Sequence, residues 1–297
     1  MERGIQIEIL SAFSIIGAGR LGVTLGRALS QAGYELKVIS DRNPRAAREG
    51  RQIIGRGRAT ASNTRSALAA PTLLICVPDD SVKSVVREIT PALENWSGRR
   101  VFHTSGLLSS RLLLPLKKRG ARIASLHPVQ TFASKQDSLA RLKGITWGIE
   151  GDRDATETAE ALVRKLGGHS LYLEESDKAL YHTACSLASN ALLILGETAI
   201  ELLARTGLDK KQAAAILLPL MQGTLQNVKN FGLEGTLTGP VARGDIGTVR
   251  RHLEALDKSP GIGVIYRILA RRALERGAEL GHSPRTIKSL MRLLKDR

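Results

Sequence analysis

A stripe of polar side chains in the second half of the chain has the residue types needed for proton transfer. His182, Ser186 and Asn190 follow one another at intervals of four, which places them on one face of a helix. Their neighbours are small or apolar, so the face is expected to be enclosed, and buried polar groups need partners. Histidine titrates near neutrality, which makes His182 the best candidate proton donor. The alternative is hydrogen bonding between helices.

A glycine-rich segment near the start of the chain has the pattern of a dinucleotide-binding loop. It is a GxGxxG that directly follows a predicted strand and directly precedes a predicted helix. The first glycine permits a tight turn, the second lets backbone approach a pyrophosphate, and the third lets the helix pack on the strand. The helix N-terminus offers N–H groups to the phosphates. The predicted cofactor-binding residues here are Gly17, Ala18, Gly19, Arg20, Leu21 and Gly22.

The end of the second predicted strand selects between the two nicotinamide cofactors. The segment is Ser40-Asp41-Arg42-Asn43. If Ser40 takes the ribose position, Arg42 can pair with the 2′-phosphate of NADP, whereas the other register puts Asp41 on the ribose and favours NAD. We expect NADP(H), because Ser40 and Arg42 together suit a dianionic phosphate. In the alternative interpretation, Arg42 is a solvated turn residue.

Polar residues also gather where other predicted strands end. Ligands of open α/β sheets bind outside the carboxyl ends of the strands. There, Ser105 and His127 are expected to line the wall opposite His182 and to complete the catalytic set. His103 is assigned to cofactor binding, with Val77-Pro78 from the end of a neighbouring strand. Each histidine taken alone could instead be structural.

A loop late in the chain supplies candidate substrate contacts. Gly239-Pro240 breaks any helix, and Asp245 can cap the next one. Arg243 on this loop can hold a carboxylate through two hydrogen bonds, and Thr238 is assigned to substrate binding beside it. The alternative is a helix connection with a surface arginine.

The elements that must position these residues fall into two halves. Short apolar runs alternate with helical patterns up to about residue 175, which predicts a parallel α/β sheet. The predicted strands are 13–16, 35–39, 72–77, 100–103, 122–126, 146–149 and 169–173. A predicted helix at Arg45–Ile54 precedes a turn rich in Gly and Arg. Only helices follow: 177–206, 210–230, 246–256, 264–280 and 284–295.

These patterns predict an α/β fold, with an N-terminal Rossmann parallel sheet followed by an all-helical C-terminal domain. We place the boundary near Ser176, so that residues 1–175 bind the dinucleotide and residues 176–297 bind substrate and form a dimer. The apolar helical segments Ala213–Leu220 and Val264–Leu269 indicate more buried surface than one small domain needs. A homodimer is therefore expected.

Composition narrows the partners. The net charge of +16 makes nucleic acid a candidate partner. However, much of the basic charge lies on one face of an amphipathic terminal helix. The chain also has ten aromatic residues (two Trp, four Tyr, four Phe), which are too few to favour a base-stacking platform. The apolar stretch 191–204 is interrupted by Gly196, Glu197 and Glu201, so no membrane span is predicted. Cys76 and Cys185 lack metal-ligand spacing, which favours thiols in a reducing cytoplasm and no metal site.

Four segments carry a resemblance to a known family. They are GAGRLG at 17–22, SLHPVQTF at 125–132, YHTACSLASN at 181–190 and LTGPVARGD at 237–245. The chain resembles Rossmann-like NADP oxidoreductases with a C-terminal helical domain of unknown function, within the 6-phosphogluconate-dehydrogenase-like superfamily. It is more distantly similar to ketopantoate reductase, pyrroline-5-carboxylate reductase and prephenate dehydrogenase. The ketopantoate reductase helix has a lysine and two asparagines at intervals of four, where this chain has His182, Ser186 and Asn190.

The resemblance and the residues together predict hydride transfer from NADPH to the C=O or C=N carbon of a small anionic substrate. His182 would supply the proton, Ser186 and Asn190 would bind the substrate, and Arg243 would hold its anionic group. The rival hypothesis is a regulatory or scaffold protein that binds the cofactor without turnover.

Overall fold

Eight strands in the described part of the chain form one sheet. The computed structural model describes residues 12–136, 139–233, 236–276 and 281–295. The order across the sheet is β3-β2-β1-β4-β5-β6-β7-β8. The strands are β1 Ala12–Ile16, β2 Glu35–Ser40, β3 Arg58–Thr60, β4 Thr72–Ile75, β5 Arg100–His103, β6 Arg122–Pro128, β7 Thr146–Gly151 and β8 His169–Tyr172.

Strand direction divides the sheet into two parts. Strands β1 to β6 pair in parallel, whereas β7 runs antiparallel to β6 and parallel to β8. The order of the first six strands is that of a doubly wound dinucleotide-binding sheet. The predicted fold class is therefore confirmed. β3 lies in the segment predicted to be only a turn, since three residues are too few to show strand periodicity.

Helices cover both faces of the sheet, as a parallel sheet requires. All residues of β1 and of β4 are buried. Val23 and Leu29 of the first helix belong to the hydrophobic core on one face, and Val82 and Trp96 belong to the core on the other. The helices of this part are α1 Arg20–Gln31, α2 Pro44–Ile54, α3 Asn63–Leu68, α4 Asp79–Ile89, α5 Leu114–Lys117, α6 Arg153–Lys165 and α7 Lys178–Ser186.

Only helices occur among the described residues that follow α7. They are α8 Leu192–Ala204, α9 Lys210–Phe231, α10 Ile246–Ala255, α11 Pro260–Leu274 and α12 Pro284–Leu293. Val249, Leu253 and Leu290 belong to their shared core. The Asp245 side chain accepts a hydrogen bond from the Thr248 N–H at 2.9 Å, which confirms the predicted cap of α10. The predicted helix 264–280 begins earlier, at Pro260, and its residues 277–280 lie outside the described residues.

The chain separates into two compact units, the first ending at Ser189 and the second beginning at Asn190. Helix α7 lies in the first unit because Lys178 and Tyr181 bond to β6 side chains. The functional boundary near Ser176 stays a prediction. A π-helical turn, Leu187–Ala191, follows α7.

Candidate active site

The glycine-rich loop after β1 has the geometry that its sequence predicts. Gly17 has φ +106°, and a Cβ there would lie 2.3 Å from the Cys76 carbonyl oxygen. A Cβ on Gly22 would lie 2.0 Å from the Gly17 carbonyl oxygen. Around Gly19 nothing lies within 4 Å of such an atom. The first and third positions therefore exclude a side chain, while the second leaves open space beside the backbone for a bound group.

The loop leads into a helix N-terminus suited to an anion. α1 begins at Arg20, and its N-cap residue, Gly19, has no side chain that could bond to the first N–H groups of the helix. Its first N–H groups lack intrahelical partners, so they can donate to phosphate oxygens. Leu21 is half-buried at this end, and the Arg20 side chain is exposed. A dinucleotide pyrophosphate fits this cradle.

At the end of β2, the side chain of Asp41, and not that of Ser40, is directed to the glycine-rich loop. The Asp41 carboxylate accepts hydrogen bonds from the N–H groups of Ala18 and Asn43, both at 2.9 Å. Ser40 is fully buried, and its Oγ donates to Asn63 at 3.1 Å. Ser40 therefore cannot reach a ribose, which corrects its predicted role: the last residue of β2 points into the core.

The remaining predicted cofactor contacts lie on or near this edge of the sheet. Arg42 is exposed in the loop between β2 and α2, where its guanidinium is accessible to an anionic ligand. Val77 and Pro78 follow β4, and a Val77 methyl approaches the Gly17 turn. Burial raises the pKa of the neighbouring Cys76 thiol to about 12, so this thiol stays protonated.

Two histidines and a glycine form a close cluster at the carboxyl ends of β5 and β6, with His127 from β6, Gly106 from the loop after β5 and His182 from α7. The rings of His127 and His182 meet edge to face, with 5.8 Å between centroids. A Cβ on Gly106 would lie 2.6 Å from Nδ1 of His182 and 2.9 Å from Nε2 of His127. Among the described residues, the buried Nδ1 of His182 has no hydrogen-bond partner. The structure thus brings together two residues predicted from distant parts of the sequence.

Tyr181 extends the cluster. Its Oη and Nδ1 of His127 share a hydrogen bond of 2.8 Å. Burial raises the pKa of Tyr181, and burial lowers the pKa of His127 to about 4, with smaller electrostatic contributions from His182, Lys178 and His103 in the same direction. The phenol is therefore protonated and the imidazole neutral near pH 7. A Cβ on Gly148 would lie 2.7 Å from Oη, so this glycine makes room for the phenol.

A buried lysine completes the cluster. Lys178 is 1% exposed, and its Nζ donates to Oγ of Ser125 at 2.7 Å and to the Ser105 carbonyl at 3.4 Å. Burial lowers the pKa of Lys178, while Glu150 and Asp79 act to raise it. A buried lysine without a close counterion is unusual, because desolvation of a charge is costly.

The nearest acidic group on the adjacent strand is held elsewhere. Glu150 pairs with Ser125 across β6 and β7, but its carboxylate accepts from the N–H and Oγ of Ser110 at 2.7 and 2.6 Å. These bonds satisfy the carboxylate without Lys178. The ammonium and the carboxylate therefore influence each other at a distance rather than as an ion pair.

Two predicted contacts have other roles in the structure. His103 is fully buried, and its Nε2 is 3.1 Å from the Ser109 carbonyl while Nδ1 accepts from the Ser105 N–H. It cannot touch a cofactor, because its ring nitrogens fix the loop after β5. Oγ of Ser105 accepts from the N–H groups of Leu107 and Leu108. Ser105 therefore shapes this loop, and its carbonyl serves Lys178.

The other predicted residues are placed as follows. Ser186 is half-buried on α7, one turn after His182. Asn190 lies in the π-helical turn and begins the second unit. Thr238 and Arg243 are exposed in the second unit, on the loop before α10. Within the described residues there is no group of three or more His, Cys, Asp or Glu side chains able to hold a metal ion.

Lys178 and Tyr181 are the functional candidates that the sequence predictions omit. Lys178 lies four residues before His182, so it extends the polar stripe by one turn. That four-residue spacing could have identified Lys178 from the sequence. Tyr181 carried no comparable signal, since its partner His127 is 54 residues away.

Comparison with known proteins assigns both parts of the chain. Residues 2–128 match the model of a Rossmann-like domain, and residues 145–273 match a domain of unknown function, DUF2520. The chain combines a Rossmann-like domain with a DUF2520 domain. The predicted resemblance is therefore confirmed.

Relatives with names extend over nearly the whole chain. It is 25% identical over 276 residues to pyrroline-5-carboxylate reductase of Corynebacterium melassecola, covering 92% of this chain and 99% of the relative. A candidate NADP oxidoreductase from Bacteroides fragilis, BF3122, has a TM-score of 0.75 at 23% identity, with 92% and 100% coverage. Protein TM1727 from Thermotoga maritima has a TM-score of 0.67 at 26% identity, with 89% and 98% coverage.

Proposed function

We propose that this protein is an NADP(H)-dependent reductase that acts on the C=O or C=N bond of a small anionic metabolite. One observation carries the proposal. The glycine loop and the cluster of Gly106, His127, Tyr181, Lys178 and His182 both lie by the carboxyl ends of parallel strands, where doubly wound sheets bind their ligands. The names of its relatives support the oxidoreductase class and the cofactor.

The chain would hold the cofactor at three points. The open backbone at Gly19 and the N–H groups of α1 would bind the pyrophosphate. The exposed Arg42 would bind the 2′-phosphate. The reduced nicotinamide would supply a hydride to the substrate carbon. The residues that face the dinucleotide would thus bind and orient the cofactor. The proton that the substrate takes up must come from the side-chain cluster.

The cluster can supply that proton. The unpaired Nδ1 of His182 and the Tyr181–His127 hydrogen bond provide two adjacent proton carriers. Tyr181 is protonated near pH 7, so its hydroxyl can donate a proton to the substrate, and the phenolate left behind would take a proton from solvent. Ser186, one turn after His182 on α7, would bind the substrate.

The first test separates binding from catalysis. NADPH and NADH are titrated into the protein and followed by nucleotide fluorescence, with Arg42→Ala in parallel. We expect a preference for NADPH that Arg42→Ala removes. We expect His182→Ala to retain NADPH affinity and to lose about 100-fold or more in turnover. Absence of binding by either nucleotide would contradict the proposal, and binding without any substrate-dependent oxidation would favour a cofactor sensor.

We also infer that the second unit forms a homodimer. Large apolar side chains of α8 and α9 face solvent: Leu193 is 70% exposed, Ile216 55% and Leu220 66%. Soluble monomers rarely leave so many neighbouring apolar groups uncovered. The helix Glu175–Ala204 is long and apolar enough to cross a membrane by length and composition, and its most apolar window is only 6% buried. The exposed carboxylates Glu197 and Glu201 within α8 favour a protein partner over a bilayer.

The dimer has a direct test. Sedimentation equilibrium of the full chain should give twice the monomer mass, and the double variant Leu193→Glu, Leu220→Glu should give a monomer. Leu68→Glu, on the exposed face of α3, is the control and should stay dimeric. A wild-type monomer, or partition of the wild type onto phosphatidylcholine vesicles, would contradict the inference.

The two free thiols support a reducing, cytoplasmic location, which we also propose.

A further inference from the structure

We infer that Glu150 is a positioning residue for the proposed reduction. Through Ser110 it holds the loop that carries Gly106, and that glycine in turn sets how the His127 and His182 rings are placed. The inference rests on the proposed reductase function and adds to it a residue that acts only through its neighbours. All of these residues belong to the first compact unit, which ends at Ser189.

A buried carboxylate on β7 holds the far end of this loop. Glu150 is 9% exposed, and its carboxylate accepts hydrogen bonds from the N–H and Oγ of Ser110 at 2.7 and 2.6 Å. Ser110 is the first residue of a short 3-10 helix, Ser110–Leu113, so its N–H lacks an intrahelical partner. Burying a carboxylate is costly unless it is hydrogen-bonded. The two bonds therefore tie Ser110 to β7.

The bonds to Glu150 are the strongest attachment of the loop, residues 104–109. His103 also bonds to the loop, through Nδ1 to the Ser105 N–H at 3.2 Å and through Nε2 to the Ser109 carbonyl at 3.1 Å. Burial lowers the pKa of His103 to about 4, so these are bonds between neutral groups near pH 7. Bonds to a carboxylate are shorter and roughly twice as strong. Loss of Glu150 should therefore loosen the loop at this end.

The loop forms one wall of the histidine cluster. A Cβ on Gly106 would lie 2.6 Å from Nδ1 of His182 and 2.9 Å from Nε2 of His127, so the backbone at this glycine packs directly against both rings. The two rings are themselves in contact, with 5.8 Å between centroids. A shift of the loop therefore changes the placement of both rings. Misplacement by about 1 Å can cost about 100-fold in rate.

Glu150 also acts through its charge, and the choice of variants separates the two effects. Burial lowers the pKa of Lys178, and the Glu150 carboxylate acts to raise it. Glu150→Gln removes the charge, but it keeps an oxygen acceptor for the Ser110 N–H and adds a donor for Ser110 Oγ. Glu150→Ala removes the charge and both bonds. A positioning role predicts that only the alanine variant loses turnover, whereas a role through charge predicts equal losses.

Steady-state kinetics test the proposal, with NADPH and whichever of pyruvate and 1-pyrroline the wild type reduces faster. We expect Glu150→Ala to lose about 10- to 100-fold in kcat, with KM and NADPH affinity changed less than about threefold. Glu150→Gln should stay within about threefold of the wild type. Ser110→Ala loses one of the two bonds and should lose about 3- to 10-fold, which keeps the test decisive if Glu150→Ala does not fold. Glu157→Ala removes an exposed ion pair on α6 and should match the wild type.

A double-mutant cycle gives a readout that a purely structural role would not move. Gly106→Ala forces a Cβ against both rings when the loop is held, whereas a loop released by Glu150→Ala can shift to relieve the contact. The loss of turnover caused by Gly106→Ala should therefore fall from about 10- to 100-fold in the wild type to less than about threefold in Glu150→Ala. Additive losses, or equal losses for Glu150→Ala and Glu150→Gln, would overturn the proposal.

Histidine NMR gives a second readout that needs no substrate. The Cε1–H resonances of His127 and His182, assigned with His127→Asn and His182→Ala, should move in Glu150→Ala and remain close to their wild-type positions in Glu150→Gln. Unmoved resonances in Glu150→Ala would overturn the proposal. Binding of NADPH without reduction of either substrate would instead overturn the proposed function, and the histidine resonances would still decide whether Glu150 positions the cluster.

Discussion

Replacing Gly106 with alanine should damage catalysis while leaving the dinucleotide site intact. The added Cβ would lie 2.6 Å from Nδ1 of His182 and 2.9 Å from two atoms of the His127 ring. To restore an ordinary contact of 3.4 Å, His182 must retreat by about 0.8 Å and His127 by about 0.5 Å. Displacements near 1 Å can cost about 100-fold in rate. We therefore expect turnover to fall between about 10- and 100-fold.

Stability should change much less than turnover. Overpacking costs about 1–3 kcal/mol, and the loss of glycine flexibility in the unfolded chain returns about 0.4–1 kcal/mol. The net destabilisation then lies between about zero and about 2.6 kcal/mol, which urea unfolding measures.

The assay compares NADPH affinity, by fluorescence, with kcat/KM for the best substrate of the wild type. Gly247→Ala is the matched control, because its Cβ would have a single ordinary contact, at 3.6 Å, on an exposed helix position. The control should keep wild-type turnover. Unchanged turnover of Gly106→Ala would refute the packing argument. A loss of NADPH affinity equal to the loss of turnover would refute the separation of the cluster from the cofactor loop.

Two further predictions concern charge. Asp41→Asn should keep an oxygen acceptor for the Ala18 N–H and remove a negative charge beside the bound 2′-phosphate. NADPH affinity should therefore rise about 3- to 10-fold, while NADH affinity falls. Unchanged affinities for both nucleotides in fluorescence titrations would contradict this prediction. Burial lowers the pKa of His103 and His127 to about 4 from about 6.5 in the unfolded chain. The unfolded chain then binds more protons between these values, so the free energy of unfolding should be fully present above about pH 6.5 and fall toward pH 4. Urea unfolding at several pH values measures this, and His127→Asn should show a shallower decline; equal slopes would exclude His127 as a contributor.

The glycine loop was predictable because its constraints are local. Each glycine has a mechanical task set by the strand before it and the helix after it, so the pattern alone specifies the turn. The parallel sheet was predictable for a similar reason, since buried parallel strands are short apolar runs. β3 was missed because Arg58–Thr60 is a short edge strand without periodicity.

The side-chain cluster was predictable only in part. The spacing of His182 and Ser186 identified α7 as polar on one face, and extending it by four residues would have included Lys178. Burial could not be predicted from strand position: Ser40 and His103 end strands at the ligand-binding edge, yet both point into the core. Which polar residue at a strand end faces a ligand depends on the register of neighbouring strands, and a single sequence does not encode that register visibly.

Transfer of deuterium from labelled NADPH tests the central claim most directly. NADPH carrying deuterium at the reactive nicotinamide carbon is incubated with the protein and a panel of 2-oxo acids and cyclic imines, and the products are examined by mass spectrometry. We predict a product with one deuterium at the former carbonyl carbon for the wild type, and about 100-fold less for His182→Ala at equal NADPH occupancy. NADPH bound at full occupancy with no deuterium in any product would contradict a reductase and support a cofactor-sensing protein.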